Sequence, residues 1–178
     1  MMAADFAFGE DNGAAAGSPP KGASRTDPVT NVNWKNIDDA TTVYSASPIS
    51  AGNNGYTKWQ FGHFSGTFNQ ILNGLWSHTA GTAGTGLTLF GTVIPTGTYA
   101  TPATTPSDSL VNQTATTAVA SGLQVLFGPT GPEWEGKGAA TAANPAYTSW
   151  LVTQLRSAGT AAAGDSTAVT YTLRYDEN

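Results

Sequence analysis

Cysteine is absent from this 178-residue chain, which excludes disulfide frameworks and thiolate metal sites. Charge is scarce as well. Asp, Glu, Lys and Arg make up 11% of the residues, well under the ~25% of an average soluble protein. Only seven residues are basic, no two of them adjacent, and the formal net charge is −5. Phosphate recognition needs clustered Lys and Arg, so nucleic acid is not expected as a partner. No apolar run approaches the ~18 residues of a membrane span. The opening MMAADFAFGED has neither a basic n-region nor a long apolar core, so no membrane partner and no secretory signal are expected.

What is present points to β-structure. The apolar fraction is an unexceptional 39%, and threonine alone outnumbers Asp, Glu, Lys and Arg together. Thr is β-branched and suits solvent-facing strand positions without adding charge. The length suits one domain, which can bury roughly 70% of its unfolded surface. The clearest strand lies near the end, in DSTAVTYTLRYDEN. There Val169, Tyr171, Leu173 and Tyr175 alternate with Thr170, Thr172, Arg174 and Asp176. That period of two gives one apolar and one polar face, as on a half-buried strand.

Residues 1–28 read differently. GEDNGAAAGSPPKGASRTDP is Gly, Ala, Ser and Pro with scattered charge, too poor in apolar surface to fold alone. It reads either as a disordered tail or, because Phe6 and Phe8 precede it at strand spacing, as a tethered anchor. The anchor reading places a short strand around Asp5–Phe8 on the sheet edge of another polypeptide. From Val29 onward strands dominate: VTNVNW, TTVYSA, GLTLFGTVI and the short apolar GLQVLFG are all expected strands. In YTKWQFGHFSGTF, Trp59 and Phe61 share one parity and Phe64 and Phe68 the other, so a bulge or turn is expected at Gly62–His63. NPAYTSWLVTQLRSAG is ambiguous. Tyr147, Trp150, Leu151 and Leu155 fit one helical face, but SWLVTQL is rich in β-formers. A strand paired with 166–175 in a hairpin is the preferred reading. Seven or eight short strands with loops such as GNNG and TAGTAGTG between them make an all-β sandwich over 29–178.

The motifs that would carry chemistry do not hold together. Gly131–Gly138, GPEWEGKG, matches a P-loop until Gly138 stands where Ser or Thr must hold magnesium, and Glu133 and Glu135 would repel a phosphate. His63 and His78 have no zinc-site spacing, and HFSGTF lacks the glycines of a nucleophile elbow. Asp38–Asp39 and Glu133/Glu135 are paired carboxylates, but neighbouring strand or turn residues point apart, so they read as surface charge. Asp38, Asp39 and Asp165 lack the density of a calcium loop. No catalytic, cofactor-binding or metal-ligating residue is therefore assigned. Among the tryptophans, Trp59 and Trp76 sit in strongly patterned strands and are expected in the core. Trp134 stands alone in a glycine-rich loop and is the candidate for contact with a sugar or a protein.

Taken together, GNNGYTKWQFGHFSGTFNQILNGLWSHTAGTAGTGLTLFGTV, YATP, GPE and YTSWLVTQL with AAAGDSTAVTYTLRYDEN resemble small virion structural proteins of tailed bacteriophages. The resemblance covers roughly 30–178. It implies an immunoglobulin-like, jelly-roll-like or related β-sandwich in the virion, with no enzymatic activity. The implied role is capsid decoration: a cement protein that bridges shell subunits, with the major capsid protein, other virion proteins and copies of itself as partners. A tail or head–tail component is the alternative within that class, and a carbohydrate-binding module for host attachment is the rival outside it. Phe6, Phe8 and Trp134 are the expected partner-binding residues.

Overall fold

The computed structural model describes residues 4–17, 21–66, 68, 71–94, 98–113, 123–124, 146–162 and 168–177. Within them the chain forms ten strands, a single 3-10 turn at Tyr44–Ala46 and no α-helix. The strands are β1 (Asp5–Ala16), β2 (Lys21–Thr26), β3 (Lys58–Ser65), β4 (Ile71–Ala80), β5 (Leu87–Ile94), β6 (Val111–Asn112), β7 (Leu123–Gln124), β8 (Ala146–Tyr147), β9 (Trp150–Ser157) and β10 (Thr170–Glu177). The larger sheet runs β2-β1-β3-β9-β5-β6, with β8 also on β3; the smaller runs β10-β4-β7. All pairings are antiparallel. The fold is all-β, two sheets packed as a sandwich.

The mixed parity of 59–68 has a simple cause: both faces of β3 are buried. Phe64 points between the sheets, where it joins Phe68, Ile71, Trp76 and Leu151, with Phe6, Leu173 and Tyr175 packed against them. Trp59 and Phe61 point to the other face, where Tyr99, Leu110, Trp150 and Val152 complete a second core. That outer core is roofed by the segment 98–110, tied down where Tyr99 Oη donates to Gly13 O at 2.8 Å and Ala103 N to Thr57 Oγ1 at 3.1 Å. No residue of β3 bulges: its ladder with β1 is unbroken from Asp5↔Ser65 to Asp11↔Trp59. The extra residue sits across the other ladder. Gln60 pairs with Leu151 but His63 with Tyr147, so three steps on β3 face four on β8–β9. Thr148 fills the gap, accepting the Gly62 N–H through Oγ1 at 2.8 Å and donating its own N–H to Gly62 O at 2.9 Å.

Other expectations are corrected. Asp5–Ala16 and Lys21–Thr26 are not a tether outside the sandwich: they pair as β1 and β2 and extend the larger sheet. The boundary at residue 29 therefore cuts through one folded unit. The sheet-edge pairing that the anchor reading placed on another polypeptide is made along β3 of the same chain. VTNVNW is irregular, and TTVYSA holds the 3-10 turn instead of a strand. β9 is a strand, as preferred, yet it pairs with β3 and β5 while β10 pairs with β4, so the terminal hairpin does not exist. In GLQVLFG, Leu123 and Gln124 pair with β4, and the rest lies outside the described residues.

Candidate functional site

Strand β1 carries residues that a sheet interior normally rejects. Its pleat sends Phe6, Phe8, Glu10 and Asn12 to the inward face and Gly9 and Asp11 outward. Phe6 and Phe8 land on aromatic partners within the chain: Phe6 lies 5.2 Å from Phe64 and Phe8 lies 5.3 Å from Trp76, centroid to centroid. Beyond the reach of the smaller sheet, Glu10 meets Lys58 instead. Both are buried, 0% and 1% exposed, with Lys58 Nζ 2.7 Å from Glu10 Oε1. Gln60 Nε2 and Asn12 Nδ2 also donate to the Glu10 carboxylate, at 3.2 and 3.0 Å. Burial pulls the Lys58 ammonium below the ordinary lysine range, against the opposing attraction of Glu10.

The segment 29–57 covers this charge and is held by it. Asp38 reaches down to accept from Asn12 Nδ2 at 2.8 Å and Gly13 N at 2.7 Å. Lys58 Nζ also donates to Asp39 O at 3.2 Å. Lys35, fully buried, donates to Asp39 Oδ1 at 3.1 Å and Thr42 O at 2.7 Å. Asp39 folds the chain around itself, accepting from Thr41 N, Thr42 N and Thr42 Oγ1 at 3.0, 2.7 and 2.6 Å. Partial desolvation works to raise its pKa, but the bonds from Thr42, Lys35 and Thr41 prevail and hold it far below the usual carboxylate range. Asn31 Nδ2 donates to Thr42 O at 2.8 Å, and Asn36 N to Ser47 O at 2.9 Å, which sets 31–36 alongside 42–47.

On top of this scaffold the side chains turn outward. Val32 and Val43 are 49% and 55% exposed, and Ile37 and Tyr44 are exposed as well. These are four of the six exposed large apolar residues among the described ones, the others being Phe8 and Val111. A rigid backbone presenting apolar tips is the arrangement of a contact surface.

Other ionisable groups are engaged within the chain, while Asp5, Lys21, Asp108, Arg174, Asp176 and Glu177 are exposed. Asp11 holds Arg25 with two bonds, 2.7 and 2.9 Å, and the guanidinium lies over the Phe61 and Tyr147 rings at 4.3 and 4.7 Å. His63 Nδ1 is 2.8 Å from Asp27 Oδ2 and its ring packs on Tyr147. His78 Nε2 faces the carbonyls of Ala80 and Gly81, both at 3.1 Å. Among the described residues no three His, Cys, Asp or Glu gather to hold a metal. An open polar depression of about 310 Å³ is lined by Asn36, Gly52, Asn53, Asn54 and Thr104, without an acid or a base.

The expected contact residues are thus divided. Phe6 and Phe8 face rings of their own chain, with Phe8 O accepting from Val29 N at 2.7 Å, and Trp134, Glu133 and Glu135 lie outside the described residues. The sequence pattern hides Val32, Val43 and Tyr44 because VTNVNW and TTVYSA resemble strands, and Ile37 because it lies between the two. The signal lay in NIDDATT, whose clustered Asn, Asp and Thr form side-chain turns more readily than strands. No known family, curated protein or solved structure matches this chain.

Proposed function

We propose that this protein is a non-enzymatic structural component of a tailed-bacteriophage virion, a capsid decoration protein that bridges shell subunits. The reading starts from the resemblance of residues 30–178 to small virion proteins. The observation that carries it is the division of labour around residues 29–57. The charged side chains there are bonded to one another and to the backbone, and what faces outward is apolar, hydroxyl or amide. Such a surface recognises by shape and area, which suits a protein that bridges neighbours. Its partners in this role are the major capsid protein, other virion proteins and further copies of itself.

Copy number in purified particles is the test. Decoration follows the hundreds of shell subunits, so quantitative mass spectrometry should find this chain in comparable numbers. A handful of copies per particle would assign it to the tail or the head–tail junction. Absence from particles, together with glycan binding that is lost on Trp134→Ala, would replace the structural reading with a carbohydrate-binding one.

A further inference from the structure

A chain without cysteine cannot close a disulfide, yet one cluster in this fold sets a buried amine against a carboxamide. The β1–β3 register that pairs Glu10 with Gln60 and Asp11 with Trp59 brings Asn12 level with Lys58 one step further on. Side chains so placed on neighbouring strands stand about 5 Å apart at Cβ, within reach of a lysine. Lys58, Glu10 and Asn12 are 1%, 0% and 4% exposed. One oxygen, Glu10 Oε1, accepts from both Lys58 Nζ at 2.7 Å and Asn12 Nδ2 at 3.0 Å. The amine and the carboxamide nitrogen therefore meet at a single carboxylate. We propose that the folded chain forms an intramolecular isopeptide bond, Lys58 Nζ to Asn12 Cγ, with Glu10 carrying the proton.

The chemistry balances within the chain. The neutral Lys58 amine attacks Asn12 Cγ and the N–C bond forms. Glu10 takes a proton from Nζ and returns it to Nδ2, the Cγ–Nδ2 bond breaks, and one ammonia leaves. Burial pulls the Lys58 ammonium down toward its neutral, nucleophilic form, and the neighbouring Lys35 charge adds to this against Glu10 and Asp38. Asp38 Oδ1 also accepts from Asn12 Nδ2, at 2.8 Å, which fixes the leaving nitrogen. Asp38 Oδ2 holds Gly13 N at 2.7 Å and so restrains the cyclisation open to an Asn-Gly pair. Lys35, also buried, is bonded to Asp39 and Thr42 O instead of a carboxamide. Exclusion of water favours the amide over hydrolysis. The hydrogen-bonded ion pair is the state before closure. Once closed, the bond ties β1 to β3, encloses the 29–57 segment and constrains the unfolded chain as a disulfide would. The proposal does not depend on the virion reading, because the reaction is a property of the isolated chain.

The intact mass of the full chain, measured under denaturing conditions, tests it. The expected result is a mass one ammonia below that of the sequence, with the tryptic peptides carrying Asn12 and Lys58 recovered as one branched species. Lys58→Arg and Asn12→Ala should keep their full sequence masses. Glu10→Gln should slow closure by about a hundredfold, within the usual contribution of a general acid–base group. If that variant does not fold, Glu10→Asp tests the same step with the charge kept. A full sequence mass after prolonged incubation of the folded protein would overturn the proposal. So would loss of ammonia with the two peptides recovered separately, which marks cyclisation at Asn12–Gly13, or a folded Glu10 variant that closes as fast as the parent.

Discussion

Glu10 and Lys58 show how a single residue pair governs more than its own contact. Removing two charges from water is costly, and the attraction between them offsets that cost only with good geometry and further hydrogen bonds. Glu10 has both, from Lys58, Gln60 and Asn12. Glu10→Gln leaves the buried Lys58 ammonium without its counter-ion, and the expected loss is about 3–5 kcal/mol in urea unfolding. A double-mutant cycle with Lys58→Gln separates pairing from packing. The double variant should be less destabilised than the sum of the singles by about 1–3 kcal/mol; strict additivity would show that the pair is not coupled. Gly9, next along β1, has a different necessity: a Cβ there would lie 2.1 Å from Cζ of Phe61, whose ring rests directly on the glycine.

Among the elements, the β1–β2 hairpin decides whether the sandwich closes. β1 is not an edge strand, since β2 pairs on one side and β3 on the other. Its inward side chains contribute Phe6 to the core between the sheets, and Asp11 anchors the Arg25 that covers the outer core. A chain beginning at residue 27 strips β3 of a partner strand and uncovers Phe61 and Phe64 together. It should lose the cooperative thermal transition of the full chain and bind a hydrophobic dye. Retention of a sharp transition would restore the picture of residues 1–28 as a dispensable arm.

At the scale of the whole molecule, pH reads the hydrogen-bonded Asp39 carboxylate through global stability. The Asp39 pKa is depressed in the folded state, so this carboxylate stabilises the fold above its unfolded value of about 3.9, and the contribution is lost as pH falls through the folded value. Urea unfolding should therefore give a lower stability at about pH 3 than at about pH 7. Asp39→Asn should be less stable at neutral pH and show a smaller difference between the two. An equal difference in both proteins would place the acid sensitivity elsewhere. The 29–47 loop is the segment that Asp39 shapes, so the same variant should also weaken any association through that loop.

How much of this was legible in the chain follows from where each residue's partners lie. The all-β class was determined locally: in β10 the alternation of Tyr171, Leu173 and Tyr175 with Thr172, Arg174 and Asp176 needs only one buried face to be readable. Trp59 and Trp76 were identifiable as core from the strongly patterned strands that carry them, and both are buried. The region 145–157 hid its state because the irregularity opposite Gly62 puts Tyr147 and Trp150 on one face, three residues apart, which imitates helical spacing in an extended chain. Strand partners were decided only in three dimensions, since nothing local in β10 specifies β4 over β9. The hairpin and the loop face were hidden most deeply. Glu10, Asp11 and Asn12 mark exposed chain wherever their partners are unknown, and those partners come from Arg25, Asp38, Lys58 and Gln60. Burial of a charge is a property of the assembled network, so only the tertiary structure could turn the most polar stretch of the N-terminus into an interior strand.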